Sequence, residues 1–151
     1  MAEIKQKLGS SAALTITLAS LGDGAGRCST AIDNSSVQAV SADVYVKIKT
    51  AGTMASPNYL LVYLVRSEDG TNYDDAFAGS DAAFTPVNAT LIGIISAPTT
   101  GTTYQAVLNT EVAGNLPRKY AIAIFNDTGA ALDSTAGNHA VSITPKTYQT
   151  V

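Results

Sequence analysis

The sequence predicts an all-β fold, an antiparallel β-sandwich of jelly-roll connectivity with about eight strands and extended terminal arms. Three observations predict it. Short runs rich in Val, Ile, Leu, Tyr and Thr recur along the chain, separated by clusters of Gly, Ser, Thr, Asn and Asp. Several of these runs alternate apolar and polar residues, as a half-buried strand requires, and no useful length carries the apolar period of an amphipathic helix. The run Tyr59 to Val65 is apolar on both faces, preceded by Pro57 and closed by Asp69-Gly70, which suits a strand at the centre of such a fold.

Residues 1–10 carry mixed charge with Ile4 and Leu8 as an isolated apolar pair, and read as an N-terminal arm ordered by a partner. The single domain spans 11–145. Leu14, Ile16 and Leu18 alternate with threonines and predict a first strand with the apolar residues inward. The glycine cluster Gly22 to Gly26 breaks it; without a following Gly-Lys-Ser/Thr it is a loop rather than a phosphate cradle. Arg27 to Ile32 is a short strand ended by the turn-forming run Asp33 to Ser36.

Within Val37 to Thr50, Ala42, Val44, Val46 and Ile48 alternate with Asp43, Tyr45, Lys47 and Lys49, the clearest half-exposed strand in the chain. The loop 51–57 leads to the central strand, in which Leu60, Val62 and Leu64 point one way and Tyr59, Leu61, Tyr63 and Val65 the other. Ser67 to Asn72 predicts a hairpin turn with Tyr73 to Phe77 as its return. Leu91 to Ile95 and Tyr120 to Phe125 are again apolar on both faces, whereas Tyr104, Ala106 and Leu108 line one side of Thr103 to Asn109. His139 to Thr144 is the last strand, closed by Pro145, and 146–151 is a C-terminal arm.

Composition bounds the function. With 151 residues, the chain is long enough for one well-buried core. Charged residues are only 14 % of it, so its surface is built from small and neutral polar groups that are cheaply desolvated against a neighbour. A net charge of −3 with scattered Lys and Arg speaks against nucleic-acid binding. No apolar stretch reaches membrane-helix length, and the N-terminus lacks the apolar region of a signal peptide, so a soluble chain is expected. The single cysteine, Cys28, excludes an intrachain disulfide and fits assembly in a cytosol.

No catalytic, metal or cofactor motif emerges, and no enzyme is expected. Glu68, Asp69, Asn72, Asp74 and Asp75 gather oxygen ligands that a calcium ion would accept, but their spacing is not that of an EF-hand, and a solvated turn is the simpler reading. Asp74, Asp75 and Glu111 are acids of the type used by glycosidases, with nothing to place two of them across a cleft. His139, the single histidine, has no marked triad partners and reads as structural or surface-exposed. Cys28 stands beside Arg27, which would lower a thiol pKa, yet it reads best as a small buried residue.

The phrases Leu14 to Leu21 followed by Gly26-Arg27, Ser67 to Tyr73, Leu91-Ile92-Gly93 and Asn126 to Leu132 resemble a small structural protein of tailed bacteriophages, of the capsid decoration or cement type. The likeness spans most of the chain. It implies a β-sandwich that forms a homotrimer, assembles in the host bacterial cytoplasm and sits on the outer surface of the head, bridging major capsid subunits. On that reading the second apolar face of the central strand, Tyr59, Leu61, Tyr63 and Val65, supplies subunit contacts. The rival is a glycan-recognition module of a tail fibre or cell surface, using Tyr side chains and the loops Gly22 to Gly26, Ser67 to Asp75 and Asp127 to Asn138.

Overall fold

The computed structural model describes residues 2–55 and 57–151; Met1 of the N-terminal arm and Ser56 of the 51–57 loop lie outside the described residues. Among those described, eleven strand segments follow in order: β1 Ile4–Leu8, β2 Ala12–Ala13, β3 Ala25–Cys28, β4 Ile32–Asp33, β5 Ser41–Lys49, β6 Tyr59–Ser67, β7 Ala82–Phe84, β8 Thr90–Ser96, β9 Thr103–Asn109, β10 Lys119–Asp127 and β11 Ala140–Thr150. Among the described residues the helical segments are short 3-10 turns at Asp74–Ala76, Thr110–Ala113 and Ala136–Asn138.

The strands form two antiparallel sheets. The first runs β1–β11–β5–β9, with β2 on β11 as well; the second runs β7–β3–β10–β6–β8, with β4 also on β10. Apart from β7, each ladder joins an early strand to a late one: β1 and β2 to β11, β3 and β4 to β10, β5 to β9, and β6 to β8. The chain therefore doubles back about the segment 68–89 and folds as one long nested hairpin, apart from the β6–β10 and β5–β11 ladders that close the sheets.

Alternation decides what lies between the sheets. Val44, Val46 and Ile48 of β5 and Val141 and Ile143 of β11 meet Leu60, Val62 and Leu64 of β6 and Tyr120, Ile122 and Ile124 of β10 in one buried core. Each such side chain withdrawn from water contributes about 1.5–3 kcal/mol relative to its exposed state. The outward residues Asp43, Tyr45, Lys47 and Lys49 of β5 stay at the surface side, as the sequence pattern requires.

Four local expectations are corrected. Leu14, Ile16 and Leu18 do face the core, but they lie on an extended crossing rather than a ladder strand. Leu14 N–H donates to Val141 O at 2.8 Å on one sheet, and Thr15 O accepts from Thr30 N–H at 2.9 Å beside the other, so the segment closes the side of the two-sheet stack. The return from β6 is β8 and not Tyr73 to Phe77, because Asp74–Ala76 winds into a 3-10 turn with Asp75 and Ala76 at positive φ.

Pro145 does not close β11, which runs on to Thr150. The proline sits where the partner edge passes from β2 to β1, and its carbonyl, not its missing N–H, is used, accepting from Gly9 N–H at 2.7 Å. Finally, the two terminal arms pair with each other, β1 against the last residues of β11, with the register Ile4 to Thr150 through Leu8 to Lys146.

One irregularity shapes the second sheet. The β6–β8 register shifts between Val62 and Tyr63, so Ile92 and Ile95 are both buried while Leu91 and Ile94 turn out. Gly93 faces the core here, and a Cβ on it would stand 2.6 Å from Leu108 Cδ2. A side chain at this position would displace Leu108 or bend the strand.

Candidate functional site

The outward side of β6 lies on the outer face of the second sheet, and that face is divided. One half is covered by the chain itself. Residues 72–89, which include the edge strand β7 of the same sheet, seal it by packing Phe77 and Phe84 with Val65, Cys28, Ala121 and Ala123, with Tyr63, Tyr73, Ala31 and Ala89 at the margin. The rings of Tyr73 and Phe77 meet edge-on at 5.3 Å, a favoured arrangement of opposed quadrupoles.

Carboxylates fasten this cover. Asp75 accepts N–H bonds from Val87, Asn88 and Ala89 at 3.0, 2.6 and 3.0 Å. Asp81 accepts from the Thr17 hydroxyl at 2.6 Å and from Arg27 Nε at 2.5 Å. Asp74 accepts from Arg66 N–H at 3.1 Å. Burial alone would raise the carboxyls of Asp75 and Asp81, but the amides of Val87, Ala89 and Asn88 in one case, and Arg27 and Thr17 in the other, hold both below the ordinary carboxylate value.

The other half is open. Tyr59, Leu91 and Ile94 are 41 %, 42 % and 52 % exposed, and Leu61 and Phe125 are half-buried between them. Leu61 lies directly across from Ile94 on one side and Phe125 on the other, and Tyr63 across from Leu91, so these residues form a continuous apolar strip.

The four residues expected to make subunit contacts therefore separate. Val65 is fully buried under the chain's own cover, Tyr63 is partly covered, and Tyr59 and Leu61 border the open strip. Leu91, Ile94 and Phe125 complete the strip and were not among the expected contacts. Their signal was present, since both parent runs are apolar on two faces, but only strand pairing brings the three runs side by side.

The polar candidates turn inward to their own chain. Asp69 accepts from Thr71 N–H and Asn72 N–H, both at 2.8 Å, and from Asn72 Nδ2 at 2.6 Å. Those bonds, led by the Asn72 and Thr71 amides, hold its carboxyl well below the usual range. Glu68 pairs with Arg66 at 3.0 Å. Among the described residues no group of three or more His, Cys, Asp and Glu side chains is placed to hold a metal ion.

His139 is also occupied. Its Nε2 lies 2.8 Å from the Asp133 carbonyl and its Nδ1 lies 3.4 Å from the Lys49 amide nitrogen, so both ring nitrogens face backbone groups of the chain. Cys28 is fully buried, and burial pushes its thiol up to about 12. Arg27 does not lower it, because the guanidinium is engaged by Asp81.

Among the described residues, no helix is long and apolar enough to cross a membrane. Fold and face together define an all-β protein of two antiparallel sheets with one outer face half sealed by its own chain. No protein-family model matches the sequence, and no curated protein matches it.

Proposed function

We propose that this chain is a non-enzymatic virion structural protein of the capsid decoration or cement type, which trimerises on the outer surface of a tailed-phage head and stabilises contacts between major capsid subunits. The observation that carries the reading is the open strip of Tyr59, Leu61, Leu91 and Ile94, continuous with the half of the same face that the chain has to cover for itself. An apolar strip on a charge-poor surface is cheap to desolvate, and a stable interface needs about 1,200–2,000 Å² in total.

The connectivity is read as a jelly roll. Supporting this, β1 with β2, and β3 with β4, each occupy successive stretches of one partner edge, and the pairs early-to-late wrap around a single core. Such a wrapped sandwich recurs in shell-forming proteins, where strands supply rigid faces for lateral contact.

Cosedimentation of the purified protein with empty phage capsids, run beside a glycan array, tests the proposal. Saturable capsid binding by an oligomer, with no glycan retained, is the expected result. Retention of a glycan without capsid binding would favour the recognition-module reading instead.

A further inference from the structure

The first sheet narrows to two strands at one end, where β5 leaves β11 at Lys146 and β1 continues beside it to Thr150. Glu3 and Val151 exchange N–H to O bonds of 3.1 and 2.8 Å, and Gly9 N–H donates to Pro145 O at 2.7 Å, which fixes the phase of the β1–β11 ladder. Glu3, Lys5 and Lys7 therefore spend their backbone groups on β11, while those of Ile4, Gln6 and Leu8 point to the free edge. Every residue of β1 is exposed. Ile4, Leu8 and Tyr148 share one face of the ribbon, 75 %, 60 % and 62 % exposed, and the charged Glu3, Lys5 and Lys7 share the other.

A free edge beside exposed apolar side chains is a template for another strand, and its charges decide which strand and in what register. A second copy of β1 can lie on it antiparallel, outward residue opposite outward residue as the hydrogen bonds demand. Centred on Ile4, this pairing puts Glu3 opposite Lys5 of the other copy, and does so twice. Centred on Glu3, Lys5 or Lys7, it sets that residue against itself, and centred on Gln6 it sets Lys5 against Lys7. A parallel, in-register pairing opposes every charge to its like. Of the centres from Glu3 to Lys7, Ile4 alone brings opposite charges together with no like pair.

The same register lays Ile4 on its own counterpart and Ala2 on Gln6, so the contact is apolar at its centre on one face and charged on the other. Lys5 already bridges Glu3 of its own chain at 3.1 Å, and the second copy completes a ring of four alternating charges. Residues 2–6 are thus their own complement about a two-fold axis, the condition an isologous contact requires. A foreign strand would have to supply a pattern that the chain itself already carries.

We propose that the free edge of β1 pairs with β1 of a second copy, antiparallel and centred on Ile4, joining two ribbons into one four-stranded sheet. A contact confined to residues 2–6 falls short of the roughly 1,200 Å² of a stable interface, so it forms at high local concentration. It is separate from the open strip of the second sheet and does not rest on the virion reading; where both hold, it links one oligomer to the next.

Sedimentation velocity on the full chain, over a concentration series, tests it. Glu3→Lys and Lys5→Glu each turn both cross-axis pairs into like charges, and each should weaken self-association roughly tenfold. An equimolar mixture of the two variants should regain it, because each chain then meets its opposite. Amide protection of Lys5 and Lys7 shows that the β1–β11 ribbon survives; should a charge variant lose it, cross-linking decides. Ile4→Cys should form disulfide-linked pairs on mild oxidation, since that position lies about 5.5 Å from its counterpart between Cα atoms. Gln6→Cys, whose own centre opposes lysines, should link far more slowly, and the fully buried Cys28 contributes to neither. No self-association, indifference to both charge reversals, a mixture no stronger than its components, or equal linking at the two positions would overturn the proposal. So would a Val-Glu-Val-Glu-Val peptide that occupies the edge while the chains themselves stay apart.

Discussion

The rings of Tyr63 on β6 and Phe84 on β7 lie 6.1 Å apart between centroids, tilted by 52°. That contact is the seam between the sealed and open halves of the second sheet's outer face. Phe84 belongs to the cover and Tyr63 to the covered strand, so the pair records how far the chain reaches over its own apolar surface.

Phe84→Ala should unseat the cover. A truncated buried Phe costs about 3–5 kcal/mol in a core, and the lower end applies here because the cover can settle toward the gap. Denaturant unfolding should show a loss of about 3 kcal/mol, with increased binding of a hydrophobic dye as Val65 and Ala123 are uncovered.

Leu61→Asp and Val65→Asp should behave differently although both lie on the same side of β6. Leu61 borders the open strip, so a carboxylate there can reach water, and the variant should stay folded but lose oligomerisation and capsid binding. Val65 is fully buried, and an aspartate there should unfold the protein, by several kcal/mol. Circular dichroism and light scattering on both variants separate the outcomes; an unchanged oligomer for Leu61→Asp removes the proposed subunit contact.

Acid should loosen the cover before it melts the core. Asp75 and Asp81 sit below their ordinary value of 3.8 in the folded chain. A depressed folded value stabilises fully above the unfolded value and loses that contribution as pH falls through the folded one. The window therefore opens just below 3.8 and extends downward. Hydrogen exchange of the Val87, Asn88 and Ala89 amides should accelerate there relative to β10, and Asp75→Asn should accelerate it already at neutral pH.

The Cys28 thiol should be inert in the folded chain. With its pKa pushed up to about 12 by burial, its thiolate fraction near neutral pH is smaller than that of an ordinary cysteine by roughly a thousandfold. Iodoacetamide labelling should be negligible until denaturant is added and then proceed at the rate of a free thiol. Rapid labelling of the native protein would contradict the buried position.

Legibility followed the range of the interaction. The inward set of β5 and the two faces of β6 were readable because a side chain's direction in a strand depends on nothing beyond its neighbours in sequence. Leu14 to Leu18 was legible in its facing but not in its pairing. Alternation says which side chains go inward, whereas a ladder needs a partner backbone, and this segment passes between two sheets. The turn at Ser67 to Asn72 was visible in its Asp and Gly, yet the hairpin was not, since Asp75 binds amides of Val87 to Ala89 and delays the return strand to Thr90.

The candidate face divides in the same way. The sequence by itself determined that three strands would each be apolar on two sides and that few charges would shield them, both properties of local order and composition. Only the tertiary structure decided that Val65 is closed off while Tyr59, Leu61, Leu91 and Ile94 remain open. That outcome depends on where residues 72–89 land, and contacts between residues distant in the chain are chosen by the competition among all possible packings, which no local pattern encodes.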